Sequence, residues 1–261
     1  MKRIIALLLA GFSLVNIMAA TPNQTDKKGR KQGAWSKTYA NGQLMYEGQF
    51  KDDKPVGTFK RYFETGKLKL VQTYTKGENS NVSIYEDDGK TIAMEGAYIG
   101  KEKDGEWKFY KEGKLAVSET YTKGSRNGLS KAYSEKGAVI EETPYVNDKI
   151  EGVKRTFLED GSLYQEVEYK NGLEDGFYKL YEGNKEPVIT GQHKNGKRDG
   201  EWKIYDEKGQ VDEVLTYENG KQTNAKEQKK KHSKTFDQKD AEHKIHKEPT
   251  ELFPGSTVKN M

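Results

Sequence analysis

Gly105–Asn127 reads GEWKFYKEGKLAVSETYTKGSRN, and Gly200–Gln222 reads GEWKIYDEKGQVDEVLTYENGKQ. The two stretches agree in their opening Gly-Glu-Trp-Lys, in a Tyr at the sixth position, in a central Gly and in a Tyr near the eighteenth. Aligning the rest of the chain on them gives eight units, opening at Gly33, Gly57, Ser80, Gly105, Gly128, Gly152, Gly176 and Gly200. The step is roughly 23–25 residues throughout, and self-similarity at a fixed short period is the signature of a repeat architecture. The tyrosines decide that the period is real. The sixth slot takes Tyr39, Tyr62, Tyr85, Tyr110, Tyr133, Tyr181 and Tyr205, and the eighteenth takes Tyr74, Tyr98, Tyr121, Tyr145, Tyr169 and Tyr217, which is 13 of the 16. All three tryptophans (Trp35, Trp107 and Trp202) fall in the third slot.

Each unit reads as a β-hairpin. Trp107 and Phe109 alternate along one strand, Glu112–Gly113 makes the turn, and Leu115, Val117, Glu119 and Tyr121 share a face of the next. Alternation with a period of two marks a half-buried strand. The turn recurs as Asn41–Gly42, Asp88–Gly89 and Asp160–Gly161, pairs that accept the positive φ of a tight hairpin. A second loop recurs between units, at Lys76–Gly77, Lys123–Gly124, Asn171–Gly172, Asn195–Gly196 and Asn219–Gly220. Two glycines in every unit exclude a helix. The fold class is therefore all-β, an elongated, twisted antiparallel sheet of about eight consecutive hairpins. A lone hairpin is marginal in water, so stacking must stabilise each unit. Sixteen strands would make a sheet on the order of 75 Å long.

The pattern G-x-W-x-x-Y-x-x-x-G-x-L-x-x-E-x-x-Y-x-x-G resembles the bacterial variant of the MORN repeat (membrane occupation and recognition nexus), also grouped as YwqK-type antitoxin repeats. The resemblance covers residues 33–220, nearly three quarters of the chain. It implies consecutive hairpins that serve as scaffold, dimerisation surface or lipid contact, with no activity attached. Ser130 and Lys154 depart from the third-slot aromatic, Ser80 from the opening Gly, and 182–187 are irregular. An aromatic binding stripe is thus interrupted in the fifth and sixth units.

Four segments follow. Residues 1–20, MKRIIALLLAGFSLVNIMAA, have a Lys2–Arg3 head, an apolar run from Ile4 to Val15 and an Ala19–Ala20 exit, the pattern of a secretory signal peptide. Residues 21–32 read as a linker, 33–220 as the repeat domain and 221–261 as a lysine-rich tail predicted to be disordered. The chain carries a net charge of +4, yet the signal supplies +2 and the tail +4, leaving the body at −2. The basicity belongs to the ends. Cysteine is absent, which excludes disulfides and thiol catalysis.

No catalytic or metal constellation stands out, and no cofactor is expected. His193 occupies a slot that elsewhere holds Tyr, and His243 and His246 lie in the tail. The fifteenth-slot acids Glu47, Glu95, Glu119, Glu142 and Glu166 recur too regularly for an active site and read as a structural ladder. The function expected is a non-enzymatic scaffold, exported to the periplasm, cell surface or exterior, that binds a protein or surface partner. The alternatives are anionic-lipid binding through repeats and tail, and an antitoxin-like neutralising role. No specific nucleic-acid partner is expected. The candidate interaction surface is Trp35, Trp107, Trp202, Tyr110, Tyr205, Lys229, Lys230 and Lys231. Intact-mass spectrometry of the protein from its own cells should find a chain beginning at Ala20 or Thr21. A mass that retains residues 1–20 would overturn the export reading.

Overall fold

The computed structural model describes residues 22–183 and 186–224. Residues 1–21, with the expected signal peptide, and residues 225–261, with Lys229, Lys230 and Lys231, lie outside the described residues. The described chain is all-β. Its strands are β1 (Gln24–Thr25), β2 (Lys31–Thr38), β3 (Leu44–Lys51), β4 (Lys54–Tyr62), β5 (Leu68–Tyr74), β6 (Ser80–Tyr85) and β7 (Ile92–Ile99). They continue with β8 (Glu102–Lys111), β9 (Lys114–Thr122), β10 (Ser125–Arg126), β11 (Gly128–Tyr133), β12 (Val139–Val146), β13 (Lys149–Ile150) and β14 (Gly152–Phe157). The last are β15 (Leu163–Lys170), β16 (Leu173–Tyr181), β17 (Pro187–Lys194), β18 (Lys197–Tyr205), β19 (Val211–Glu218) and β20 (Lys221–Gln222).

Sixteen of these form the eight expected hairpins, and all pair in one open antiparallel meander. The four extra strands are short pairs of residues. β10 and β13 are the leading ends of β11 and β14, cut off where the strand bulges at Asn127 and Glu151. β1 and β20 carry the sheet past residues 33 and 220 at both ends.

Two bulges recur and explain two of the fixed slots. Every hairpin shifts register at its sixth slot, as at Arg61/Tyr62, Phe109/Tyr110 and Ile204/Tyr205. The first unit does so at Lys37/Thr38, which places Tyr39 one position beyond the slot. Most opening glycines sit in a second bulge between units. Opposite Thr190–Gln192 the partner strand advances from Asp199 to Lys203, around a Gly200 with φ of 69°. Ser80 is the counter-example. β5 and β6 pair without a shift from Leu70↔Ile84 to Tyr74↔Ser80, so the unit without the glycine lacks the bulge. Bulges bend strands and increase their twist.

The core lies on one face. Trp107 is 0% and Trp202 1% exposed, although no helix or second sheet covers them among the described residues. The enclosure comes from neighbouring strands. Trp107 lies flat on Gly96, where an added Cβ would stand 2.3 Å from the indole Cδ2. Tyr98 and Tyr121 meet it edge-on at 5.0 and 6.4 Å, and its Nε1 donates to Ala97 O at 3.0 Å. Trp202 repeats the arrangement on Gly191, donating to Gln192 O at 3.1 Å, and Phe59 lies on Gly48. In each pair the glycine stands at the same place in the preceding unit, a constant step before the ring. Where the third slot is smaller, as at Ser130 and Lys154, that place is taken by Glu119 or Thr143.

Gly96→Ala and Gly191→Ala should each destabilise the sheet by about 3 kcal/mol, the upper end of overpacking costs, because the obstructing atoms belong to a buried ring. Urea unfolding measures this. Gly77→Ala, where an added Cβ meets nothing within 4 Å, should show only the smaller cost of its positive φ.

Candidate interaction face

The two faces of the sheet do different work. On the core face, each tryptophan is covered by the basic residue four positions before it. Lys103 Nζ stands 4.5 Å from the Trp107 ring centre, 4.8 Å from Tyr121 and 4.9 Å from Phe109. Lys31 covers Trp35 at 4.7 Å, and the Arg198 guanidinium covers Trp202 at 4.9 Å. These are cation–π contacts on aromatic rings already fixed by packing. Burial lowers the Lys103 pKa, opposed by the charge of Glu119.

Sequence reasoning missed this lid, although its signal is visible as K/R-x-G-x-W at Lys31, Lys103 and Arg198. It changes the standing of the predicted surface. Trp107 and Trp202 are core, because glycine below and cation above close off both faces of the indole. Trp35 is half-buried, and its Nε1 donates to Gln24 O at 3.1 Å and Gln32 O at 3.2 Å.

The outward face carries Tyr110 and Tyr205 in a ladder between units. Tyr110 OH donates to Glu95 Oε1 at 2.6 Å, Tyr62 OH to Glu47 Oε1 at 2.7 Å and Tyr181 OH to Glu166 Oε2 at 2.9 Å. Tyr205 and Tyr133 make the equivalent contacts with the hydroxyls of Thr190 and Ser118, at 3.2 and 3.3 Å. The partner sits at the same place in the preceding unit every time. Beside them, Lys60 pairs with Glu47 at 3.6 Å, Lys131 with Glu142 at 3.0 Å and Arg155 with Glu166 at 3.0 Å. Exposed pairs of this kind contribute little singly, but they fix which residues remain available to a partner.

From the last strand of the fourth unit through the sixth, the core face becomes partly polar, with Tyr145 and Val167 still buried on it. The core face there holds Glu119, Ser130, Thr143 and Thr156, all buried. Thr143 Oγ1 donates to Glu141 at 2.7 Å, Lys154 pairs with Glu141 at 3.1 Å, and Arg126 lies 4.0 Å over Tyr145 and 3.7 Å from Glu119. This polar belt separates two apolar clusters, one around Trp107 and Val117, the other around Trp202 and Leu180. The outward face is the reverse. Leu129 pairs across to Pro144, Val153 follows on the next strand, and Phe177 comes two strands further on the same face. Leu129 is 40% exposed, Val146 46% and Leu173 51%. Apolar residues so grouped on an outward face mark an interaction surface.

A shallow cavity of about 370 Å³ opens beside it, floored by Ala138, Val139 and Phe157 and edged by Glu142, Glu159 and Asp160. No group of three or more His, Asp or Glu suited to a metal occurs among the described residues.

Five segments match the family model described as MORN repeat variant, at residues 31–52, 55–76, 126–147, 150–171 and 198–219. Each of these five segments is similar to the MORN repeat variant. The matched segments begin two positions before the opening glycine, at Lys31, Pro55, Arg126, Ile150 and Arg198, so two of them include a lid over tryptophan. No curated protein matches the chain. Among solved structures, it is similar to an S. aureus TarM mutant in complex with fondaparinux, alpha-GlcNAc-glycerol and UDP. The identity is 13% over 45% of this chain and 20% of that one, with a TM-score of 0.19. A GtfA/B complex gives 15% identity over 43% and 18%, with a TM-score of 0.21. The chain thus spans about a fifth of the length of these structures.

The ladder has a pH signature. Burial, and next the hydrogen bond to Glu47, Glu95 or Glu166, pushes Tyr62, Tyr110 and Tyr181 up to about 12 from the usual 10. A raised acid is fully stabilising below its unfolded value and loses that contribution as pH rises through its folded one. Stability should therefore fall between pH 10 and 12. Replacing the three by Phe should flatten that fall in urea titrations, and an unchanged alkaline slope would refute the assignment.

Proposed function

We propose that this protein is a non-enzymatic scaffold that binds a protein partner through the outward face of its fifth to seventh MORN-variant units. MORN repeats generally serve as protein- or lipid-binding scaffolds. The carrying observation is the exposed group Leu129, Val146 and Leu173 beside Pro144, Val153 and Phe177. The repeated tyrosines, acids and tryptophans are absorbed in packing and in the ladder, which supports a scaffold over a catalyst. The partner would present apolar side chains to this strip, against the Lys131 and Arg155 pairs on its turn-ward side. Export to the periplasm, cell surface or exterior rests on residues 1–20 and belongs to the same proposal.

Anionic lipid is the second reading, favoured by Lys76, Lys101, Lys123, Lys149, Lys170 and Lys194, all exposed at or beside the loops between units. One experiment separates the two. Leu129→Asp with Leu173→Asp, both on exposed positions, should leave the fold intact and abolish capture of a protein that the wild type retains from the cell envelope. Capture undiminished by both substitutions would refute the protein-binding strip. Salt-sensitive sedimentation with anionic vesicles, unchanged by them, would assign the lysine edge instead.

A further inference from the structure

We infer that Asn23 and Asn224 are the two stops of the sheet, which occupy the terminal strands and prevent end-to-end pairing with a second copy of the chain. A meander of near-identical hairpins has no built-in end. Its first and last long strands, β2 and β19, present backbone groups in the register that joins most interior pairs of units, so β2 of one molecule is a template match for β19 of another. Such a contact is heterologous and non-closing, and would propagate as a filament. Exposed strand edges are managed in native sheets by shortening, bulging or covering them.

Both ends are covered in the same way. At the far end, β20 begins a ninth unit in the standard register. Glu218↔Lys221 and Tyr217↔Gln222 repeat Lys194↔Lys197 and His193↔Arg198. The next residues are Thr223, whose N–H donates to Thr216 O at 2.8 Å, and Asn224. Asn224 stands one full period after Gly200, in the slot of the opening glycine. Its side-chain amide takes the part of a peptide group. Oδ1 accepts from Thr216 N–H at 3.0 Å, and Nδ2 donates to Val214 O at 2.7 Å.

At the near end, Asn23 covers the equivalent groups of β2, with its backbone N–H in place of the side-chain N–H. Its backbone N–H donates to Ala34 O at 2.8 Å, and its Oδ1 accepts from Ser36 N–H at 2.9 Å. The pair of groups covered is the carbonyl of one residue and the amide two positions on, at both ends. Asn23 precedes Ser36 by the same step in sequence that separates Glu47 from Lys60 and Glu95 from Lys108. It therefore fills the place of a residue from a preceding unit. An amide side chain completes the hydrogen bonds of the edge without continuing the strand.

The test uses the full chain with Asn23→Ala, Asn224→Ala and the double substitution. Asn81→Ala, an exposed asparagine on interior strand β6, is the control. Sedimentation velocity over a dilution series should show monomer for wild type and control, and concentration-dependent oligomers for the double variant. Amide exchange at Ser36 and Thr216 should quicken roughly fivefold or more in the matching single variant, as expected for loss of one hydrogen bond. If the double variant fails to fold, Asn224→Gly restores the repeat's own residue at the opening slot and should self-associate alone. A double variant, or failing that Asn224→Gly, that stays monomeric at every concentration overturns the inference. So does a wild type that already associates, or a control that associates equally.

Discussion

The apolar core of this sheet depends most on one contact, made at three of its junctions, an aromatic ring lying flat on a glycine of the unit before it. A single sheet has two faces and nothing to cover either, so a large apolar side chain would ordinarily remain wet. Removing the Cβ at Gly48, Gly96 and Gly191 lets Phe59, Trp107 and Trp202 descend onto the backbone. Neighbouring rings then close the edges and a lysine or arginine closes the top. The burial that another fold obtains from a second layer is obtained here within one. Because ring and glycine belong to adjacent units, the contact is also what joins units. A hairpin of this sequence has no complete core until its neighbour forms, the general condition of repeat architectures.

The interruption in the fifth and sixth units follows from the same contact. Where Ser130 and Lys154 replace the ring, the glycine beneath is not needed, and Glu119 and Thr143 stand in its place. The core face is then held by Glu141, Lys154, Arg126 and Thr143 through hydrogen bonds and ion pairs, which fix geometry but bring little apolar stabilisation. Tyr145 and Val167 stay on the core face, while Leu129, Pro144 and Val153 lie on the opposite one. One local exchange of polarity therefore has two consequences. It divides the apolar core into two clusters, and it places an apolar strip where a partner can reach it.

The fold was legible because repetition multiplies a weak signal. One hairpin pattern is ambiguous, but Tyr62, Tyr110 and Tyr181 at one phase, with Trp107 and Trp202 at another, define strand, turn and period together. The ladder was legible in half. The regular acids Glu47, Glu95 and Glu166 announced a structural role, but their partners lie in the following unit, and Tyr–Glu pairing across that boundary needs the register to be known. Of the candidate surface, Trp107 and Trp202 are core, and only the glycine in the unit before shows how they are enclosed. The apolar strip left almost no trace, since Leu129, Val153 and Phe177 stand singly, one to a unit, and gain meaning only when the sheet aligns them.

The ends of the described sheet carry the reverse lesson. Asn224 sits in the slot of a glycine whose positive φ lets each strand continue through its bulge. A substitution there would ordinarily read as decay of the repeat. Its amide, bonded to Val214 and Thr216, shows instead that departure from the pattern is how the pattern ends. Ser80 supports the distinction from inside the sheet, since losing the glycine there removed a bulge and left pairing unbroken. A repeat sheet thus uses its consensus to propagate and its exceptions to bend less, to invert a face or to stop. In this chain the exceptions, more than the consensus, locate the surfaces that matter.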